Sequence, residues 1–368
     1  MTEPHRNPWL DFCRALAIAL VLLSHGRRLL MPLLPCLDVL KFGGFLGVEL
    51  FFVLSGFLIG RILLNHLQQE PGFSWVPKFW LRRWARTLPA YWFYVGLNLV
   101  LLAIGWRTAG DYSLWRYLTF TQNLVSAHPS FMPEAWSLSI EELFYFGTPL
   151  LMTSLAISRG GERGFIASAT LTLLIFFALR TGITLTINPE FDEGLRKVAL
   201  LRLDAIAIGL LLAWWLRPHG SLASGGTPSG WWIALGLICF LAAAALTMLP
   251  NAWIEGSLLL KLALFPMAGF GAAALIGWGL PRRLPDLIAR TGSFIAAISY
   301  SAYLANLAVL SALLAVFGEP TTRVAGVAMW VGFLAGTITL SWLTRRLIEM
   351  PALAWRERAA NRLGSRNI

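Results

Sequence analysis

Apolar residues run through this chain in ten long blocks separated by short polar or Gly/Pro-rich connections. The blocks cover roughly 9–30, 43–66, 88–106, 138–157, 164–186, 197–216, 231–250, 257–280, 293–317 and 324–348. Each is long enough to cross a bilayer with some tilt, since about 20 apolar residues span its hydrocarbon core as a helix. The stretches RPHGSLASGGTPSG at 217–230 and PRRLPDL at 281–287 read as loops. The pattern predicts an all-α polytopic membrane protein of about ten transmembrane helices. They form one unit over residues 1–355, followed by a basic cytoplasmic tail at 356–368.

Composition narrows the class further. With 57% hydrophobic and only 13% charged residues and a mean hydropathy of +0.65, an ordinary soluble protein is excluded. The net charge of +11 is accounted for by basic loops on the cytoplasmic side of a membrane, so no nucleic-acid partner is expected. If the N-terminus is inside, the inner segments hold Arg6, Arg61, Lys78, Arg82, Arg83, Arg86, Arg159, Arg163, Arg217, Arg282, Arg283, Arg290 and the basic tail from Arg345. The outer segments hold about half as many, among them Arg27, Arg28, Lys41, Arg107 and Arg116. Both termini are therefore expected in the cytoplasm. Of 17 tryptophans, Trp9, Trp106, Trp136 and Trp231 fall near segment ends, as interfacial belts do. Cys13, Cys36 and Cys239 show no metal-ligand spacing, so neither zinc nor a disulfide is expected. The first segment lacks a small-x-small cleavage site before His25 and is expected to be retained.

The polar residues inside the apolar blocks carry the functional argument. Arg14 and His25 bracket ten residues, nine of them apolar, which puts them on the order of 16 Å apart along a helix. An arginine within a spanning helix either snorkels to water or faces protein, a cavity or a ligand. A histidine there is either satisfied by a neighbouring carbonyl or part of a site. Topology gives the other polar positions a depth: His25, Glu49, Glu141 or Glu142, Arg180, Arg202 and Asp204 all fall at one outer level. Glu141 and Glu142 follow Ser137 and Ser139, so helix capping explains them almost as well as catalysis does. Arg202 and Asp204, two apart, are expected to diverge toward different helices. Gly47, Ser55, Gly56 and Gly60 suit close helix packing. At 78–92, KFWLRRWARTLPAYW puts Lys78, Arg82 and Arg86 at i, i+4 spacing and Arg83 three before Arg86. Such a face grips phosphates bidentately or holds anionic lipid headgroups.

LDFCRALAIALVLLSH, GVELFFVLSGFLI, FWLRRWARTLPAYW, WSLSIEELFYF, RLDAIAIG, ISYSAYLANLAVL and IEMPA, in that order, resemble the acyltransferase-3 family of bacterial integral membrane proteins. The resemblance implies ten spanning helices in the inner membrane and transfer of an acyl group, most often acetyl, to a hydroxyl of a glycan such as an O-antigen, an exopolysaccharide or a lipid-linked sugar. It implies acetyl-CoA or another acyl-CoA as donor from the cytoplasm, with no metal. Family roles fall on Arg14 and His25 in the active site, on Arg83 and Arg86 as the R-x-x-R pair near the donor, and on Glu141 in W-S-L-S-x-E. Where members often carry histidine in S-Y-S-x-Y-L-x-H, this chain has Asn306.

A sugar hydroxyl is a poor nucleophile, so a base must take its proton, and histidine suits that near neutral pH. A carboxylate on the other ring nitrogen, from Glu141, Glu142 or Glu49, would orient it. The donor's phosphates would rest on Arg83, Arg86, Arg82 and Lys78. Arg180, Arg202, Asp204 and Asn306 are the candidate substrate contacts. A transporter or flippase of a glycan or lipid intermediate also explains ten helices and charges within the membrane, but gives no reason for an inner arginine cluster combined with His25. A membrane-embedded binding or assembly protein is the blander alternative.

Overall fold

The computed structural model describes residues 7–31, 35–69, 72–108, 110, 112–217 and 230–356. Arg6, the loop at 218–229 and the basic tail beyond Arg356 lie outside them. Among the described residues the chain is helical and has no strand. The helices are α1 (Pro8–Leu30), α2 (Phe42–Gln69), α3 (Val76–Ala103), a short α4 (Leu114–Leu118), α5 (Trp136–Arg159), α6 (Gly161–Thr186), α7 (Leu203–Trp215), α8 (Gly230–Met248), a short α9 (Asn251–Glu255), α10 (Leu258–Gly279), α11 (Asp286–Phe317) and α12 (Arg323–Thr344).

A helix occupies each of the ten predicted blocks, and the chain is an all-α membrane protein. Seven helical spans, those holding α1, α2, α6, α8, α10, α11 and α12, are long and apolar enough to cross a membrane. Two others match them in length: α3 has 28 residues and α5 has 24. These two carry Arg82, Arg83, Arg86, Glu141 and Glu142 within the helix. α7 is shorter than its block at 13 residues, about 20 Å, because 199–201 form a 3₁₀ turn instead. α3 starts twelve residues before the expected boundary at 88, since a window that reads arginine as loop cannot see a basic helical end. The Asn7 side chain accepts from the Trp9 amide, and Pro8 occupies the first turn, which together begin α1.

The apolar window of α2 is 72% buried, whereas those of α6, α8 and α12 are 22%, 28% and 28% buried, so α2 is central and the others lie at the periphery. α2 packs on α1, α7, α8 and α10, and α1 also packs on α11. Glycine makes the α2–α7 contact possible. A Cβ on Gly56 would strike the Ile206 carbonyl, and one on Gly209 would strike that of Val53. Gly47 likewise faces the Ala17 carbonyl of α1, and Gly60 the Ala213 methyl of α7. Ser55, expected among these packing positions, lines a cavity instead. Trp9 and Trp136, expected at the interface, are each only 5% exposed; the Trp9 indole donates to the Leu275 carbonyl at 3.1 Å. Trp106 and Trp231 are exposed.

Overpacking at a backbone contact destabilises by about 1–3 kcal/mol. Gly56→Ala is therefore expected to lower thermal stability in detergent by that amount. Gly96→Ala, where a Cβ meets nothing within 4 Å, should be neutral or stabilising by up to about 1 kcal/mol. Equal effects of the two substitutions would contradict the α2–α7 contact.

Candidate active site

His25 sits near the C-terminal end of α1, facing α11. Its Nδ1 is 2.6 Å from Asn306 Oδ1. Asn306 is fully buried, and its Nδ2 donates to the carbonyls of Ala302 at 3.1 Å and Tyr303 at 2.7 Å. Those two bonds orient the amide, so its oxygen faces the ring and accepts from Nδ1. The imidazole consequently carries its hydrogen on Nδ1 and the free pair on Nε2. The ring lines a cavity of about 370 Å³ whose walls include Lys41, Trp136, Asp192, Lys197 and Tyr303. Most charges in this wall are paired locally, among them Arg27 with Asp38 at 3.1 Å, Lys197 with Asp192 at 2.8 Å and Glu134 with Arg107 at 3.3 Å. Burial works against the charge of Asp192, but Arg196 and Lys197 outweigh it and hold the carboxyl below the usual carboxylate range.

A second cavity, of about 110 Å³, opens toward the other end of the bundle. Arg14, Ser55, Arg83, Arg86, Glu141 and Tyr300 are among its walls. Glu141 accepts from Ser55 Oγ at 2.9 Å and from the Tyr145 hydroxyl at 3.1 Å. Arg83 bonds the same hydroxyl and lies over the Tyr145 ring, 4.0 Å from its centroid. Arg14 donates to Asp11 Oδ1 at 2.9 Å, while Asp11 Oδ2 accepts from Ser293 at 3.0 Å. Two side chains, Val48 and Tyr303, belong to the walls of both cavities.

Three sequence expectations change. His25 takes an amide as its partner, not Glu141, Glu142 or Glu49. Equal depth along a helix does not fix azimuth, and successive residues differ by about 100°. Glu141 thus turns into the Arg14 cavity, whereas Glu142 accepts from Trp84 Nε1 at 3.1 Å and Thr87 Oγ1 at 3.3 Å, tying α5 to α3. Ser137 does not cap α5; it lies inside the first turn and donates to the Tyr303 hydroxyl at 2.7 Å.

The second change concerns Arg180, Arg202 and Asp204, expected at the substrate. They form a closed cluster with Glu49 and are absent from the walls of both cavities. Arg202 pairs with Glu49, and Arg180 Nη2 lies 2.7 Å from Asp204 Oδ2. Both guanidinium groups stack on Phe265, 4.6 and 4.1 Å from its centroid. Arg202 Nε also approaches Asp204 Oδ1 to 3.9 Å; the two do not diverge, because Arg202 precedes α7 with φ −130° and is not helical. Two positive and two negative charges cancel, which is how ionised groups persist in an apolar bundle.

The third change is at the basic face. Arg83 and Arg86 line the Arg14 cavity, whereas Lys78 and Arg82 are exposed and outside its walls. Tyr303 was missed altogether. Its signal was the stripe Ser299, Tyr303 and Asn306 at i, i+4, i+7 along one face of α11. Among the described residues no group of three or more His, Cys, Asp or Glu side chains could hold a metal ion.

The family profile for an acyltransferase domain, Acyl_transf_3, matches residues 7–346. A Staphylococcus aureus (strain COL) protein provisionally named an O-acetyltransferase is 32% identical over 181 residues, covering 43% of this chain and 27% of its own length. The O-acetyltransferase OatA of S. aureus (strain NCTC 8325 / PS 47) is 28% identical over 230 residues, covering 58% of this chain and 35% of its own. The chain thus spans about a third or less of the length of these curated relatives. No solved structure matches it.

The cluster around Arg202 yields a test. Removing one partner of a buried ion pair destabilises by about 3–5 kcal/mol. Asp204→Asn is expected to lower the unfolding temperature in detergent accordingly, while catalytic constants per folded molecule stay within about twofold. A raised KM at unchanged stability would return Asp204 to the substrate.

Proposed function

The chain belongs to the acyltransferase-3 family, and from that premise we propose that it moves an acyl group, acetyl in the simplest case, from an acyl-CoA to a hydroxyl of a glycan or lipid-linked sugar in the bacterial inner membrane. The observation that carries this reading is a pair of cavities that share Val48 and Tyr303 in their walls, one with an arginine cluster and the other with a tautomerically fixed histidine.

At the Arg14 end, the donor set suits phosphates and a thioester arm. Arg83 Nε is buried without a partner, an orphan donor beside the cavity, and guanidinium forks match phosphate oxygens. About 110 Å³ is the space of a few water molecules. A cavity of that size is too small for a nucleotide, so only the slim acyl end of the donor would enter it. The nucleotide's phosphates would stay at the mouth with Arg86, where the exposed Arg82 and Lys78 add charge. The excess of Lys and Arg on this side supports a cytoplasmic face, with both termini on it.

At the other end, His25 Nε2 takes the proton of the acceptor hydroxyl as its oxygen attacks the acyl carbonyl. Asn306 holds the ring in place and keeps hydrogen on Nδ1, the orienting role that asparagine fills in Cys-His-Asn proteases. An acceptor cavity most of whose charges are already paired suits a neutral, hydroxyl-rich ligand. Direct transfer needs no covalent intermediate when the thioester and the hydroxyl reach the same point from opposite cavities.

Turnover of acetyl-CoA by the purified full chain over a panel of polysaccharide acceptors tests the proposal. Thiol release that depends on acceptor is expected, and its absence with every acceptor would contradict it. His25→Ala should lower kcat about 10²- to 10⁴-fold with folding retained; near-wild-type turnover would remove the base assignment. Arg83→Lys and Arg86→Lys should each raise KM for acetyl-CoA about ten- to a hundredfold, because a point charge cannot replace a bidentate fork. Unchanged KM in both would leave this face to anionic lipid.

A further inference from the structure

We propose that Tyr303 supplies the hydrogen bond that stabilises the acyl carbonyl oxygen during transfer, from the wall that the two cavities share. The inference rests on the acyl-transfer reading and adds to it a residue that neither the base nor the donor clamp provides.

Position comes first. Tyr303 is one of two side chains common to both cavity walls, and the other, Val48, has no polar atom. An acyl carbon delivered from the Arg14 cavity to a hydroxyl in the His25 cavity therefore passes this phenol. The ring is 7% exposed and packs edge-on against Phe51, with centroids 6.4 Å apart.

The hydrogen-bond inventory comes second. Ser137 Oγ donates to the Tyr303 oxygen at 2.7 Å, which fills an acceptor site and leaves the phenol's own hydrogen unused. Among the hydrogen bonds of the described residues Tyr303 makes no donation. A buried hydroxyl with a spare hydrogen in a wall shared by two cavities is a preorganised donor, aimed by a serine on a neighbouring helix.

Rigidity comes third. The Tyr303 carbonyl accepts from Asn306 Nδ2 at 2.7 Å, and Asn306 Oδ1 holds His25 Nδ1 at 2.6 Å. The Tyr303 backbone carbonyl, the Asn306 amide and the imidazole thus form one hydrogen-bonded unit that links α11 to the facing turn of α1, and the phenol projects from the residue that anchors it. Base and oxyanion donor keep a fixed relation, as differential stabilisation of a transition state requires.

In the step itself, the acceptor oxygen forms a bond to the acyl carbon while its proton passes to His25 Nε2. The carbonyl pair moves onto oxygen, where Tyr303 donates. That pair returns as the C–S bond breaks, and the departing thiolate takes the proton from the imidazolium. An ester and a free thiol result.

Tyr303→Phe keeps the ring and removes the hydroxyl, both its own hydrogen and the oxygen that accepts from Ser137. With acetyl-CoA as donor, and glycerol or an exopolysaccharide oligosaccharide as acceptor, kcat is expected to fall about 10²- to 10³-fold while KM for acetyl-CoA stays within about twofold. Ser137→Ala leaves the phenol present but unaimed, and should lower kcat about tenfold, which serves as the reading if Tyr303→Phe fails to fold. A kcat within about threefold of wild type in Tyr303→Phe, or an unchanged kcat in Ser137→Ala where the first variant does not fold, overturns the inference while wild-type turnover leaves the acyl-transfer reading standing. A wild-type chain that releases no thiol with any of these acceptors overturns both.

Discussion

The bond between Asn306 Oδ1 and His25 Nδ1 is the interaction on which the account of this site depends. It joins α1 to α11 across an apolar bundle. Neither residue could be buried there alone without cost, because lipid and aliphatic side chains offer no substitute partner. The amide cannot turn over, since its nitrogen is committed to two carbonyls of its own helix. This commitment selects the imidazole tautomer and leaves Nε2 available toward the His25 cavity.

The same demand for satisfaction explains why the polar groups fall into separate sets. Glu49, Arg180, Arg202 and Asp204 neutralise one another and hold α2, α6 and α7 together. Glu142 is consumed between Trp84 and Thr87. What remains toward open space is Arg14, Arg83, Arg86 and Glu141 on one side, His25 on the other, and Tyr303 between. Groups that hold the helices together lie away from the cavities, and the groups proposed for the chemistry line them.

Much of this was legible in the sequence. All ten helical blocks follow from apolar runs, and Arg14 and His25 stand out because little else polar lies near them. The meeting of Glu49, Arg180, Arg202 and Asp204 could be anticipated from shared depth. Their purpose could not, because whether charges serve a ligand or cancel depends on pairing across three segments. The start of α3 at Val76 was hidden by its own arginines, which a hydropathy window scores as loop. Asn306 as the partner of His25, and Tyr303 between the cavities, needed azimuth as well as depth. Only the packing of α11 against α1 and its hydrogen bond to Ser137 of α5 supply it.

The tautomer of His25 is the claim most open to direct measurement. Nitrogen-15 NMR of the histidine-labelled chain in detergent, with the His25 signals identified by their loss in His25→Ala, reports which ring nitrogen carries hydrogen. The account predicts a protonated Nδ1 and an unprotonated Nε2, converting to a mixture of tautomers in Asn306→Leu. A wild-type ring with its hydrogen on Nε2 would contradict it, because that nitrogen could not then accept the proton of a hydroxyl.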